Sequence, residues 1–434
     1  MGLSAPSMPS MPSFLGGDRQ EEKLPGRRIS VLKSGEKEGL AAAEAPGAIV
    51  LPPPVTNASW SQPGGSATNA PGHLAANEAL HTVWTSSVGE GSSKRGRLTA
   101  IPIIYDNKIF TLDAQGSVRA ITASGGDTIW SLTLAPEGKS KMFDFWSSGK
   151  GRNGFGGGVA ADAGKIFVAT GFGTVVALDP ASGKVIWTKK LDIPIRQAPT
   201  AADGRVFVVN SESELFCLNG NDGSEMWTQK GLPANAALLS SASPAVAGNL
   251  VFVPYPSGEV SALDIKTGQP KWTQTLAQGD ANVSGTAAIG DAARPVVDRE
   301  AVFAMSRGGQ LIATSREKGD KLWSRDISGS QMPWVAGDVL FVVDVSGKLL
   351  ALNRKDGKIR WLASLPGGGL WSGPVLAGGK LWLASSKGQF VSVDAASGTI
   401  ASQTDLGSPV MITPVVAEGR LYVLTDKARL IAMN

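Results

Sequence analysis

The chain has 434 residues, enough for one large domain or two ordinary ones, and its 42% hydrophobic and 18% charged residues suit a buried core with a soluble surface. A net charge of +4, from 41 basic and 37 acidic residues, is too dilute to indicate nucleic acid, and short basic runs such as Lys94–Arg97 and Arg27–Arg28 read as solvated loops. The single cysteine, Cys217, excludes an intramolecular disulfide, and no stretch is apolar for membrane-spanning length.

Gly at 54 and Pro at 26, with short runs of Val, Ile, Phe and Trp between them, predict an all-β chain of many short strands. Residues 1–78 come first and are poor in strand signals. Ser7–Pro12 and Leu51–Pro54 are proline-rich and low in complexity, so the whole segment reads as a flexible linker or tether. The start has no basic stretch followed by an apolar one, and Pro6 stands where an acylation signal has Ser or Thr. The expectation is a cytoplasmic protein or one whose targeting segment has been removed. His73 and His81, the two histidines, lie in or beside this segment, so neither a His-based metal site nor a Ser-His-Asp triad is expected.

A lone strand with Trp84 follows, within Leu80–Val88, and from there the chain repeats. Val176–Trp187, Val260–Trp272 and Leu350–Trp361 share one pattern: an apolar strand, an Asp/Asn-to-Gly turn, and a strand ending in Trp. Weaker copies end at Trp130, Trp227 and Trp323, and Val391–Ser402 keeps the turn but has Ser402 at the tryptophan position. A second signature precedes each copy, with a Pro, a small apolar run, a tight turn and an apolar strand, as in Pro199–Val209, Pro374–Leu383 and Pro414–Val423. The Asp or Asn bonds its own backbone further along and the Gly accepts positive φ. Four such strands make one twisted blade. A blade cannot bury both faces alone, so blades stack, and the tryptophan fills the gap between neighbours.

After Ser402 the chain supplies three more strands. The strand around Trp84 is the missing fourth, which closes a ring of eight blades over residues 79–434 with no free sheet edge at the seam. Excess length sits in Lys139–Phe155, ahead of the second blade, and Gln278–Arg294, ahead of the fifth. Both map to rim loops, where contacts are made. The first holds Phe143, Phe145 and Trp146, which either fold on one another or form a contact surface. Gly151–Gly158 has the glycines of a phosphate loop without its Lys-Ser/Thr ending, and reads as a rim loop. Cys217 lies in the alternating run Glu214–Leu218 and reads as a buried, inert thiol. From residues alone, Ile193 and Ile195 simply begin the first strand of the third blade.

The recurring Ala-Leu-Asp-x-x-Ser/Thr-Gly-x-x-x-Trp unit resembles the tryptophan-docking repeat of quinoprotein-type propellers, over residues 80–434. With eight blades and a closing strand, the chain looks most like the BamB family of outer-membrane assembly factors. The resemblance implies a non-catalytic scaffold without cofactor, on the periplasmic side of the outer membrane. It implies binding to the POTRA domains of BamA and to other subunits of the β-barrel assembly machinery, with unfolded outer-membrane proteins as possible clients. Membrane attachment would come only through a lipid anchor missing from this sequence. The family's apolar-x-apolar-Arg motif ahead of Ala-Pro-Thr falls on Ile193, Ile195 and Arg196, which become the expected partner contacts. Trp84, Trp130, Trp187, Trp227, Trp272, Trp323 and Trp361 become the docking residues. Two features depart from the family: Leu238–Pro244 lacks the acidic residues of the next inter-blade loop, and the lipid-bearing cysteine is absent. Quinone-dependent dehydrogenases share the repeat and are the alternative. They are built around Ca²⁺, a catalytic Asp and often an adjacent cysteine pair. One cysteine excludes that pair, and Asp179, Asp264 and Asp394 read as turn formers.

Overall fold

The computed structural model describes residues 48–93, 96–135, 156–232, 242–276 and 292–434. Among them, 32 strands form eight four-stranded antiparallel sheets, and there is no helix. Blades 1 to 7 span 103–133, 157–190, 200–230, 245–275, 296–325, 334–364 and 371–405. Blade 8 combines Val415–Ala417, Arg420–Leu424 and Arg429–Met433 with Thr82–Ser87, whose Trp84 lies opposite Ala432. The chain is an eight-bladed β-propeller closed by the strand that carries Trp84.

Blade 2 shows how the repeat folds. Its strands are Gly157–Asp162, Lys165–Thr170, Thr174–Leu178 and Val185–Lys190, from the axis outward. The inner three are buried on both faces because neighbouring blades cover both, so their apolar residues run without strict alternation. The outer strand leaves Val185 and Ile186 exposed but buries Trp187. Its register slips by one residue just before the tryptophan, with Ala177 opposite Trp187 and Leu178 opposite Val185. That bulge re-aims the indole toward the next blade.

Trp187 Nε1 donates to Gly220 O at 3.1 Å, in the third-to-fourth-strand turn of blade 3, and its ring lies 5.9 Å from Phe167. The glycine of each such turn meets the incoming indole. Gly183 has φ +71°, and a Cβ there would stand 2.6 Å from Trp130 Cδ2. Only glycine satisfies both the turn and the approach.

Residues 48–78 correct the expectation of a flexible tether: in this stretch the chain is a belt packed on all eight blades. Asn57 Nδ2 donates to Val416 O in blade 8 at 2.7 Å, and Trp60 exchanges backbone bonds with Ile104 in blade 1. Gln62 Nε2 donates to Ala161 O in blade 2 and Ala201 O in blade 3. Val246 N in blade 4 donates to Ala67 O, and Val297 N in blade 5 to Thr68 O. Trp334 Nε1 in blade 6 donates to Gly72 O, and Leu74 N donates to Leu376 O in blade 7. Except at blade 6, the bonded residue is the last but one of its innermost strand. The innermost strands all run the same way along the axis, so the belt caps one mouth of the central channel. Trp60 is fully buried and stacks on Trp334, ring centroids 6.2 Å apart. Residues 1–47 of the expected tether lie outside the described residues.

Candidate functional site

The belt makes the two faces unlike. The uncapped face carries the connections between blades and the turns between second and third strands, where the sequence placed its contact motif. That motif lies between Val185–Lys190 and Thr200–Ala202. Its backbone is held from both sides. Leu191 N donates to Gly173 O in a turn of blade 2, and Ser211 N in the matching turn of blade 3 donates to Pro194 O, both at 2.8 Å. Gly173 packs so closely that a Cβ would stand 2.7 Å from Ile193 O, and one on Gly156 would stand 2.9 Å from Arg196 Cα. The connection is therefore a rigid surface feature.

The three expected contact residues separate. Ile193 and Arg196 are half-buried, so each presents part of its side chain. Burial lowers the pKa of the Arg196 guanidinium, which stays charged. Ile195 is fully buried, packed with Phe167, Trp187 and Val206. Its contact assignment is corrected: Ile193 is half-buried while Ile195, two positions on in the irregular connection, lies in the core, so Ile195 supports the connection from beneath.

A second feature of the same face was not legible in the sequence. Around the uncapped mouth, Val345, Leu370 and Met411 are 52%, 51% and 43% exposed beside Arg294 and Arg307, and a pocket of about 190 Å³ lies among them. Arg294 is buried and donates through Nε to Ser243 Oγ at 3.4 Å; burial pushes its pKa down to about 10. These residues come from five different turns and connections, with no motif linking them. Lys139–Phe155 and most of Gln278–Arg294 and Leu238–Pro244 lie outside the described residues.

The repeat aspartates are engaged locally. Asp179 Oδ1 accepts from Ser182 N at 2.8 Å and Ser182 Oγ at 2.7 Å, and Asp394 Oδ1 does the same with Ser397. Asp264 Oδ1 accepts from Lys266 N and Thr267 N. Each shapes its turn, as expected. Burial pushes the Cys217 thiol up to about 12, which fits an inert core residue.

Comparison with known proteins agrees with the geometry. The family model described as outer membrane protein assembly factor BamB matches residues 114–363 and 362–434. A BamB of Salmonella typhimurium (strain LT2) is 29% identical over 343 residues, covering 79% of this chain and 86% of that protein. A BamB of Yersinia pestis is 30% identical over 249 residues, 56% of this chain and 61% of its own length, and one of Nitrosomonas eutropha is 27% identical over 228 residues, 52% of this chain and 51% of its own. The chain thus spans little more than half of the latter two. Among solved structures, BamB from Moraxella catarrhalis superposes with a TM-score of 0.68 at 18% identity, over 82% of this chain and 100% of that one. Quinohemoprotein alcohol dehydrogenase from Comamonas testosteroni gives 0.68 at 14% identity, over 87% and 80%, a likeness of fold alone. Repeat, ring closure and a family match over the greater part of the sequence converge: the chain belongs to the family of outer membrane protein assembly factor BamB.

Proposed function

We propose that the protein is a non-catalytic scaffold subunit of the outer-membrane β-barrel assembly machinery, working in the periplasm by binding the POTRA region of BamA. Family membership supports the machinery. The observation that carries the contact is the pinned connection at 191–199, which offers Ile193 and Arg196 from a rigid backbone. Apolar and guanidinium groups on one preorganised connection suit a compact hot spot, because little entropy is lost on docking. The exposed apolar residues at the uncapped mouth extend the same face. The repeat aspartates are occupied by their turns, which supports a binding role over catalysis.

Calorimetry with the BamA periplasmic region is expected to show binding that Ile193→Asp with Arg196→Glu weakens about tenfold or more. Unchanged affinity in the double variant would sink the assigned contact, and no binding by the unaltered protein would sink the proposed role. Dye reduction with alcohols in the presence of a quinone cofactor and Ca²⁺ would favour the dehydrogenase reading instead.

A further inference from the structure

Seven seams between blades are sealed by an indole, and one is not. Trp84, Trp130, Trp187, Trp227, Trp272, Trp323 and Trp361 each donate Nε1 to a backbone carbonyl of the next blade, at 2.8–3.3 Å. In blade 7 the position is Ser402, whose hydroxyl bonds that of Ser392 across the strand, and all of Ile400–Asp405 is exposed. Two absences coincide here. An indole leaving blade 7 would need a glycine turn in blade 8. The third and fourth strands of blade 8, Arg429–Met433 and Thr82–Ser87, are far apart in sequence and no turn joins them. His81 and Asn434 exchange backbone hydrogen bonds in its place.

What is left is a groove of about 680 Å³ along the outer strand of blade 7, lined by Trp382, Phe390, Ile431, Met433 and Leu406. The cleft between blades 3 and 4, a seam that Trp227 seals, holds about 270 Å³. Trp382 stands where blades 1 to 6 have Phe and stacks on Phe390 at 5.4 Å, both rings almost covered at the floor of the groove.

We propose that this groove docks an aromatic side chain, an indole in the first place, presented by an extended segment of a partner polypeptide. The repeat itself identifies the occupant. In the filled seams of blades 1 to 6 the ring lies 5.8–6.0 Å from the second-strand aromatic, between apolar faces of two blades. Blade 7 keeps an aromatic at that place while Ser402 withholds the ring, and Lys380, Asp405 and Arg429 flank the groove. Short polar side chains at Ser402 and Thr404 leave the entrance open to solvent. The site is at the rim between blades 7 and 8, so it stands independently of the contact at 191–199.

The probe is an acetylated, amidated peptide copied from Thr128–Thr133, which carries the docking residue Trp130, added to the full chain labelled with ¹³C at methionine methyls. The expected result is a saturable shift of the Met433 methyl at roughly millimolar peptide, the affinity of a single aromatic anchor. The same peptide with Ser for Trp is expected to give none. Ser402→Trp fills the groove from within and Thr404→Arg obstructs its entrance; each is expected to weaken binding about tenfold, with thermal melting confirming that both fold. No shift, an equal shift from the serine peptide, or unchanged affinity in both variants overturns the proposal. Concentration-dependent Met433 shifts without peptide would make a second copy of the chain the occupant, and overturn it too.

Discussion

At the scale of the residue, the turn between third and fourth strands is the most informative position. Asp179 is held below the usual carboxylate range by its bonds from the Ser182 hydroxyl and backbone N–H, and Asp222 likewise by Ser224. A carboxyl with a lowered folded pKa stabilises the protein fully above its unfolded pKa, and that contribution is lost as pH falls through the lower folded value. Asn219 and Asn353 occupy the same position in other blades and accept the same kind of bond. Asp179→Asn is therefore expected to fold normally, with a melting temperature that changes less than that of the unaltered protein between pH 5 and pH 2 (about one unit or more on either side of the carboxylate range). Equal pH dependence would show that the Asp179 charge contributes nothing. This turn was readable in the sequence because its chemistry is local: an acceptor, a hydroxyl and a glycine within five positions. The burial of Ile195 was not, because the connection is irregular and only packing against Phe167, Trp187 and Val206 separates the buried Ile195 from the half-buried Ile193.

Elements were legible to the extent that they repeat. The tryptophan spacing, the Ser402 exception and the closing strand all follow from periodicity, and the sheets form accordingly. The belt at 48–78 escaped because its bonds are to other segments. Its prolines and glycines, which signal a linker, here shape a path along seven or more strand ends. Trp60 has the largest fully buried side chain of the belt and anchors it on Trp334. Trp60→Ala is expected to destabilise by about 3–5 kcal/mol in chemical denaturation. Trp60→Phe keeps a ring and removes an indole N–H that has no acceptor among the described residues, so it is expected to cost less. A Trp60→Ala loss under about 1 kcal/mol would mean that the belt contributes little to folding.

At the scale of the molecule, the ring has one capped end and one open end, and the proposed partner contact is on the open one. The belt and the contact share no side chain, so their effects should add without coupling. Trp60→Ala is expected to lower hydrogen-exchange protection at Ala161, Val246 and Val297, whose N–H groups donate to the belt, while BamA affinity stays within about twofold. Affinity falling along with protection would place the partner on the capped end instead. Eight blades and their closure were legible; the difference between the two ends was not, because it depends on which way the innermost strands point.

From Asn57 onward the belt touches each blade in turn, through blades 8, 1, 2, 3, 4, 5, 6 and 7, before its chain enters the closing strand. Tension applied at residue 48 would first load its bond from Arg360 and the pairing of Val55 with His73 and Ala75, and beyond these act as an unzipping load, with attachments failing singly, at low force and in circular order. The strand Thr82–Ser87 lies at the far end of that sequence and is paired along its length, so it would resist in shear with several bonds loaded at once. A pull too weak to open the wheel could thus still uncork its axle.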